Sequence, residues 1–185
     1  MKEWFAGRTV ALVGNAESLF HKRYGDEIDA HDVVVRLNKA AMLWTEYKAD
    51  LSHGTRTDVH MVFNIGEYRH HTPEWNPNIK LMHMSKLRQI KQHRELVHDM
   101  FSKDDHAKLS ELVGYENPTT GLMALYYIDS CEPKKIDVYG FDWKETPTFT
   151  DMERKKDPLC YHDFDLEKKC CFDHFFKKSH IEWKN

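Results

Sequence analysis

Short apolar runs separated by polar stretches set the pattern of this chain. Thr9–Val13 reads Thr-Val-Ala-Leu-Val and stops at Gly14, which predicts a buried strand ending in a turn. Asp32–Leu37, Val59–Phe63, Ile79–His83 and Ile136–Tyr139 repeat the pattern, with a turn at Pro73–Pro77 before the fourth run and Gly140 closing the fifth. Ala16–Tyr24 predicts a helical turn or short helix, Lys86–Phe101 a mostly polar helix and Asp105–Leu112 a short one. Thr119–Cys131 predicts an apolar helix with Thr119 or Thr120 near its N-cap, and Asp163–Lys178 a last helix rich in aromatics and lysines. Strands alternating with helices predict an α/β sandwich around a mostly parallel sheet. Ligands of such sheets bind at the carboxyl ends of the strands. Asn15, Asn38, Asn64 and Gly140 all follow predicted strands and fall on that one rim.

At 185 residues, 41% hydrophobic and 31% charged, the chain suits a soluble globular protein with one domain over 1–185. No apolar run approaches the roughly 18–20 residues that cross a bilayer. Met1-Lys-Glu-Trp-Phe-Ala has neither a long apolar stretch nor a cleavage site, so a cytoplasmic protein is expected. Cys131, Cys160, Cys170 and Cys171 form no Cys-x-x-Cys pair. They read as reduced structural thiols, with a metal site assisted by His162 and His174 as the lesser alternative. The formal charge of −3 argues against a DNA-tracking surface. Lys86, Arg88, Lys91, His93 and Arg94 are the only support for a nucleic-acid partner, and a solvated helix face accounts for them as well.

Four separated stretches carry candidate chemistry. At Gly14-Asn15 a strand runs into a turn that lets backbone approach a ligand, and N–H groups at a helix start favour phosphate. The stretch lacks both the Gly-x-Gly-x-x-Gly and the Walker patterns, and an ordinary tight turn also accounts for it. Arg36 and Asn38 share one side of a strand by period two; the Asn38 amide, beyond the strand end, can donate to a phosphate or sugar oxygen or simply cap the strand. Thr119-Thr120-Gly121 opens a helix whose hydroxyls and N–H groups can bind an anion or act as a plain N-cap. In His162-Asp-Phe-Asp-Leu-Glu167, the histidine is a natural general base for a hydroxyl, and Glu167 either orients it or stabilises the helix start. A surface helix start is the plainer alternative. His70 and His71 are adjacent but have no metal-ligand spacing to a further ligand.

Together these residues resemble the sialyltransferases of glycosyltransferase family 29. Val10–Asn38, with Val13-Gly14-Asn15, Ile28-Asp29, His31-Asp32 and Arg36-Leu37-Asn38, resembles the large sialyl motif, and Gly54-Thr55-Arg56-Thr57 its continuation. Asn117–Phe141, with Pro118-Thr119-Thr120-Gly121-Leu122 and Val138-Tyr139-Gly140-Phe141, resembles the small motif. His162–Glu167 has the spacing of the very small motif. The resemblance implies a Rossmann-like, GT-A-like nucleotide-binding fold and a metal-independent inverting transfer from CMP-sialic acid by single displacement. It implies that Gly14, Asn15 and Asn38 hold the donor, the asparagines at the CMP phosphate. Thr119, Thr120 and Gly121 would contact the donor, Arg36 and Glu167 support the site, and His162 acts as the base. No metal and no cofactor are expected, the nucleotide sugar being a co-substrate.

Three departures accompany the resemblance. The family joins its large and small motifs by a disulfide; Cys131 resembles the small-motif cysteine, but Val10 stands where its partner would be, which fits a reducing compartment. No histidine lies between Trp143 and Tyr161, where the family's third motif carries one, so aid to the leaving phosphate has no evident source. The membrane anchor and stem of Golgi enzymes are missing from the sequence, as expected of a compact enzyme of a bacterial cytosol or a virus-infected cell. The expected partners are a nucleotide-sugar donor and a hydroxyl acceptor: a glycan, a lipid-linked sugar or a modified nucleobase. The alternatives are a different donor such as a UDP-sugar, or a nucleotide-binding protein without transfer.

Overall fold

A computed structural model of the protein describes residues 1–38, 50–63, 78–84, 97–148 and 162–184. Seven strands form one sheet: β1 (Thr9–Val13), β2 (Val33–Leu37), β3 (Val59–Val62), β4 (Lys80–His83), β5 (Val97–Met100), β6 (Lys135–Tyr139) and β7 (Ile181–Lys184). Every neighbouring pair runs parallel, in the order β5-β4-β3-β2-β1-β6-β7. The chain steps outward from β1 to β5, then returns to lay β6 and β7 on the other flank of β1. The strand order therefore reverses between β1 and β6, the kind of switch point that opens a ligand crevice at the carboxyl rim. The architecture is the expected α/β, Rossmann-like one.

The two faces of the sheet differ in chemistry. Val10, Leu12, Val33, Val35, Leu37, Met61 and Val138 point to a large apolar core. The helices α4 (Lys103–Val113), α5 (Thr120–Asp129) and α6 (Phe164–Cys170) contribute to that core through Leu109, Val113, Leu122, Leu125, Ile128 and Cys170. Their apolar residues recur three and four apart, which turns one helical stripe to the sheet. Ala11, Val13, Val34 and Tyr139 face the other way, into a smaller cluster with Leu19 of the 3₁₀ turn Glu17–His21 and Ile28 of α2 (Gly25–Asp29). That second face also buries charge and imidazole: Arg36, His60 and Asp137, paired across the sheet with Val13, Arg36 and Ala11 respectively. Two short helices complete the described elements, α1 (Lys2–Phe5) and α3 (Asp50–His53).

The predicted strands at 9–13, 32–37, 59–63, 79–83 and 136–139 all form, within a residue at their ends. Two strands escape the pattern. Residues 97–100 pair with β4 instead of ending the predicted helix at Phe101; their residues are mostly half-exposed on the outer strand, so no apolar run announces them. β7 is four residues long and gains its identity from pairing with β6. The predicted helix at 16–24 resolves into a 3₁₀ turn followed by α2, and the last helix passes from α6 into a π-helical turn at Cys171–Phe175. Asn64, Pro73–Pro77, His70, His71, Cys160 and the Lys86–Arg94 cluster lie outside the described residues.

Cys131, Cys170 and Cys171 are buried free thiols, and burial pushes each above the ordinary thiol range. Val10 is fully buried in the central strand β1, opposite Ile136. Among the described residues no helix is long and apolar enough to cross a membrane.

Candidate active site

Gly14 and Asn15 follow β1 directly, at the reversal point of the strand order. The Gly14 N–H donates to the Tyr139 carbonyl at 2.7 Å and the Ala16 N–H to the Gly140 carbonyl at 3.2 Å, so the turns after β1 and β6 are laced together. A Cβ on Gly14 would lie 2.4 Å from the Gly140 carbonyl oxygen and 2.7 Å from the Phe141 ring. The same ring bounds Gly121, whose Cβ would lie 2.9 Å from it. Both glycines expected at the donor thus have a packing reason to be glycine, and Phe141 is the plate between them. Phe141 is fixed in turn by its carbonyl, which accepts from the Trp183 indole N–H at 3.0 Å.

The two asparagines meet at this rim. Asn15 Nδ2 donates to the carbonyl of Leu37, the residue before Asn38, at 3.4 Å. Asn15 Oδ1 is buried and accepts no hydrogen bond among the described residues, which marks a place where a donor belongs. Asn38 takes a left-handed conformation (φ 48°), which asparagine tolerates, and its Oδ1 accepts the Phe63 N–H at 3.0 Å. That bond fixes the orientation of the amide and leaves its NH₂ as the donor.

Arg36 does not point a charge at the rim. It is 2% exposed, and its guanidinium donates to the His53 carbonyl (2.7 Å), the Arg56 carbonyl (2.8 Å) and Thr57 Oγ1 (3.0 Å). Its support is structural: it braces the 53–57 loop. Asp29 anchors the same loop through the Thr55 N–H at 2.6 Å and the Arg56 N–H at 2.9 Å.

The hydroxyl of Thr119 is likewise engaged within the fold. Oγ1 accepts the Leu122 N–H at 3.2 Å as an N-cap and donates to Glu167 Oε2 at 2.6 Å. Thr120, 9% exposed, is turned into the protein. Glu167 is 3% exposed, and its Oε1 also accepts the Thr119 N–H at 2.6 Å and the Tyr115 hydroxyl. Burial raises its carboxyl above the ordinary carboxylate range, and the Thr119 and Tyr115 donors offset only part of that rise. Every partner in this set can donate, so the arrangement matches the ionised carboxylate.

His162 is exposed and sits just before Asp163, the N-cap of α6, whose side chain accepts the Leu166 N–H at 3.0 Å. Its Nδ1 lies 2.7 Å from the Asn117 carbonyl. A carbonyl only accepts, so the neutral ring carries its proton on Nδ1 and Nε2 is the basic nitrogen. A path through neighbouring groups thus joins Asn38, by way of the Leu37 carbonyl, to Asn15, Gly14, Phe141, Gly121 and Thr119, and the Asn117 carbonyl adds His162 to it. Tyr115, the Asn117 carbonyl and Asp142 join it without having stood out in the sequence. Asp142, 8% exposed, accepts from the Ser18 hydroxyl at 3.1 Å and the Thr146 N–H at 3.1 Å, tying the loop after β6 to the turn after β1. A carboxylate two residues beyond a strand-closing glycine is its only signal in the sequence.

The family model of glycosyltransferase family 29 (sialyltransferase) matches residues 6–105. The chain belongs to glycosyltransferase family 29. Its curated relatives include the CMP-N-acetylneuraminate-beta-galactosamide-alpha-2,3-sialyltransferase 1 of Homo sapiens, 45% identical over 56 residues, 30% of this chain and 15% of that protein. The Gallus gallus protein of the same name is 39% identical over 59 residues, 32% of this chain and 16% of that one. The matched stretches therefore span about a sixth of the length of these relatives. A crystal structure of a mammalian sialyltransferase superposes with a TM-score of 0.67 at 19% identity, covering 96% of this chain and 69% of that one. A mammalian sialyltransferase in complex with Gal-beta-1-3GalNAc-ortho-nitrophenol gives a TM-score of 0.67 at 19% identity, covering 99% and 71%. The family 29 match runs from before β1 to the start of α4; Thr119–Gly121, His162 and Glu167 lie beyond it.

Proposed function

We propose that this family 29 chain transfers a sialyl residue from CMP-sialic acid to a sugar hydroxyl, in a single displacement with inversion and without a metal ion. The observation that carries the reading is the contact between His162 Nδ1 and the Asn117 carbonyl, 2.7 Å apart, beside the Glu167-held start of α5. It presents Nε2 as a base. In the step, the acceptor oxygen bonds to the anomeric carbon as the bond from that carbon to the CMP phosphate breaks. The hydroxyl proton passes to Nε2 and CMP leaves with the bonding electrons. Asn15 and the Asn38 NH₂ hold the nucleotide at the rim between β1 and β2. A galactose-terminated glycan is the acceptor we assign, following the beta-galactosamide in the relatives' names and the disaccharide in the mammalian complex.

Calorimetric titration with CMP, UDP, GDP and dTDP, without metal, followed by transfer from CMP-sialic acid to Gal-beta-1-3GalNAc, tests the reading. Selective CMP binding and EDTA-resistant transfer support it. Preference for UDP replaces the donor, and activity abolished by EDTA removes the metal-free mechanism. Nucleotide binding without transfer is the second reading, favoured by the lack of a histidine between Trp143 and Tyr161. CMP binding with no turnover on any acceptor would select it.

A further inference from the structure

Residues 115–119 and the start of α6 are joined by more hydrogen bonds than a helix start needs. From one side come the Tyr115 hydroxyl, the Thr119 N–H and the Thr119 hydroxyl, all onto the Glu167 carboxylate. From the other, His162 Nδ1 reaches the carbonyl of Asn117, which lies midway between those two residues. Asp163 N-caps α6, and Thr119 caps α5, so neither helix depends on Tyr115 for its own termination. Tyr115 is half-buried against the apolar core, and burial together with Glu167 raises its phenol so far that it remains a donor throughout the working pH range.

We infer that Tyr115 is a positioning residue for the His162 base: through Glu167 it locks the 115–119 segment so that the Asn117 carbonyl captures Nδ1–H and leaves Nε2 as the basic nitrogen. The inference rests on the proposed role of His162 as base. The reason is geometric. A lone imidazole in water prefers the proton on Nε2, so holding it on Nδ1 needs an acceptor fixed in place. Glu167 is grasped by Thr119 on one side of Asn117 and by Tyr115 on the other. Without the phenol the segment is held to Glu167 through Thr119 alone, and the Asn117 carbonyl is no longer fixed to that carboxylate from both sides. Glu167 would also lose a donor while remaining buried, which weakens the negative charge that favours the imidazolium formed when the acceptor proton arrives.

Tyr115→Phe removes one oxygen and keeps the ring that packs on the core. The test is ¹⁵N NMR of the histidine-labelled protein, at a pH where the imidazole is neutral, with the His162 signals assigned by comparison with His162→Ala. The expected result is an Nδ1–H tautomer in the wild type and a mixed or Nε2–H population in Tyr115→Phe. Alongside it, kcat for transfer falls on the order of ten-fold, with CMP affinity unchanged. An unchanged tautomer signal in Tyr115→Phe overturns the inference, whatever the stability of the variant does. If the tautomer shifts but the wild type transfers to no acceptor, the positioning stands and the transferase reading fails.

Discussion

Glu167 and Thr119 are joined by two hydrogen bonds of 2.6 Å, the Thr119 N–H onto Oε1 and the Thr119 hydroxyl onto Oε2. The bond of the carboxylate to an N–H at a helix start places negative charge at the positive end of α5. It also ties together two segments, 48 residues apart in sequence, on which the candidate chemistry depends.

Glu167→Ala should therefore cost more than a surface carboxylate would. It leaves the Thr119 N–H and the Tyr115 hydroxyl without their acceptor, for a loss of about 2–3 kcal/mol. Urea unfolding of the variant measures this; a change under about 0.5 kcal/mol would show that the clamp carries no stability.

His162→Ala separates chemistry from binding. Transfer should fall roughly 10²–10⁴-fold while CMP affinity stays close to wild type. Steady-state kinetics with a parallel titration reads both, and wild-type kcat in the variant would remove His162 from the mechanism.

Asn38→Ala should do the reverse. It removes the NH₂ at the rim and the acceptor for the Phe63 N–H. Expected is a CMP affinity lowered roughly ten-fold, from the loss of about one hydrogen bond to an anion. Unchanged affinity would rule out donor contact by this amide.

The two rim glycines should respond differently to alanine. In Gly121→Ala the new methyl meets the Phe141 ring at 2.9 Å, a side chain that can be trimmed. In Gly14→Ala it meets the Gly140 carbonyl oxygen at 2.4 Å as well, and that backbone cannot. Phe141→Leu should thus rescue much of the stability lost in Gly121→Ala, about 1–3 kcal/mol, and little of that lost in Gly14→Ala. Thermal unfolding of the single and double variants forms the cycle. Equal rescue of both would place the clash elsewhere.

Acid should destabilise the protein before its carboxylates titrate. Burial, with Arg36 nearby, pushes His53 down to about 4, and burial pushes His60 down to about 4. Unfolded imidazoles titrate near 6.5, so between pH about 6.5 and about 4 the unfolded state binds more protons and stability falls as pH falls. Each group carries on the order of 3 kcal/mol across that window. His31 has the opposite sign. Desolvation lowers it, but Asp137 and the Glu27 carbonyl outweigh that and raise it, so its stabilisation is present in acid and lost as pH rises through its folded value. His60→Gln should flatten the acid limb of a stability–pH curve without moving the alkaline one. A wild-type curve level from pH about 7 to about 5 would contradict these shifts.

The strands that read clearly from sequence are those buried on both faces. Val33–Leu37 is buried at all five positions, and an apolar run of that length between polar residues is what a central parallel strand requires. Val97–Met100 does not read as a strand because it is partly exposed and takes its identity from β4, across the intervening residues. The candidate site divides likewise. Gly14, Asn15, Asn38, Thr119 and His162 each carry a local signal: a turn, a strand end, a cap, a titratable ring. Tyr115 and Phe141 have none, since a tyrosine is made a clamp only by Glu167, 52 residues on, and a phenylalanine is made a plate only by two glycines that converge on it. Arg36 shows the converse, a charge whose place on a strand is legible but whose engagement with the 53–57 loop depends on the crossover from α3.

The reversal of strand order at β1 also bears on how the protein is made. Val10 pairs with Val33 on one flank and with Ile136 on the other. A ribosome delivers the first partner within seconds of β1 and the second only after most of the chain has emerged. Until then Val-Ala-Leu-Val stands as an open, uncharged edge, a form of strand prone to pair with a stranger. The strand that leads into the Gly14-Asn15 turn is thus the one the nascent chain must shield longest.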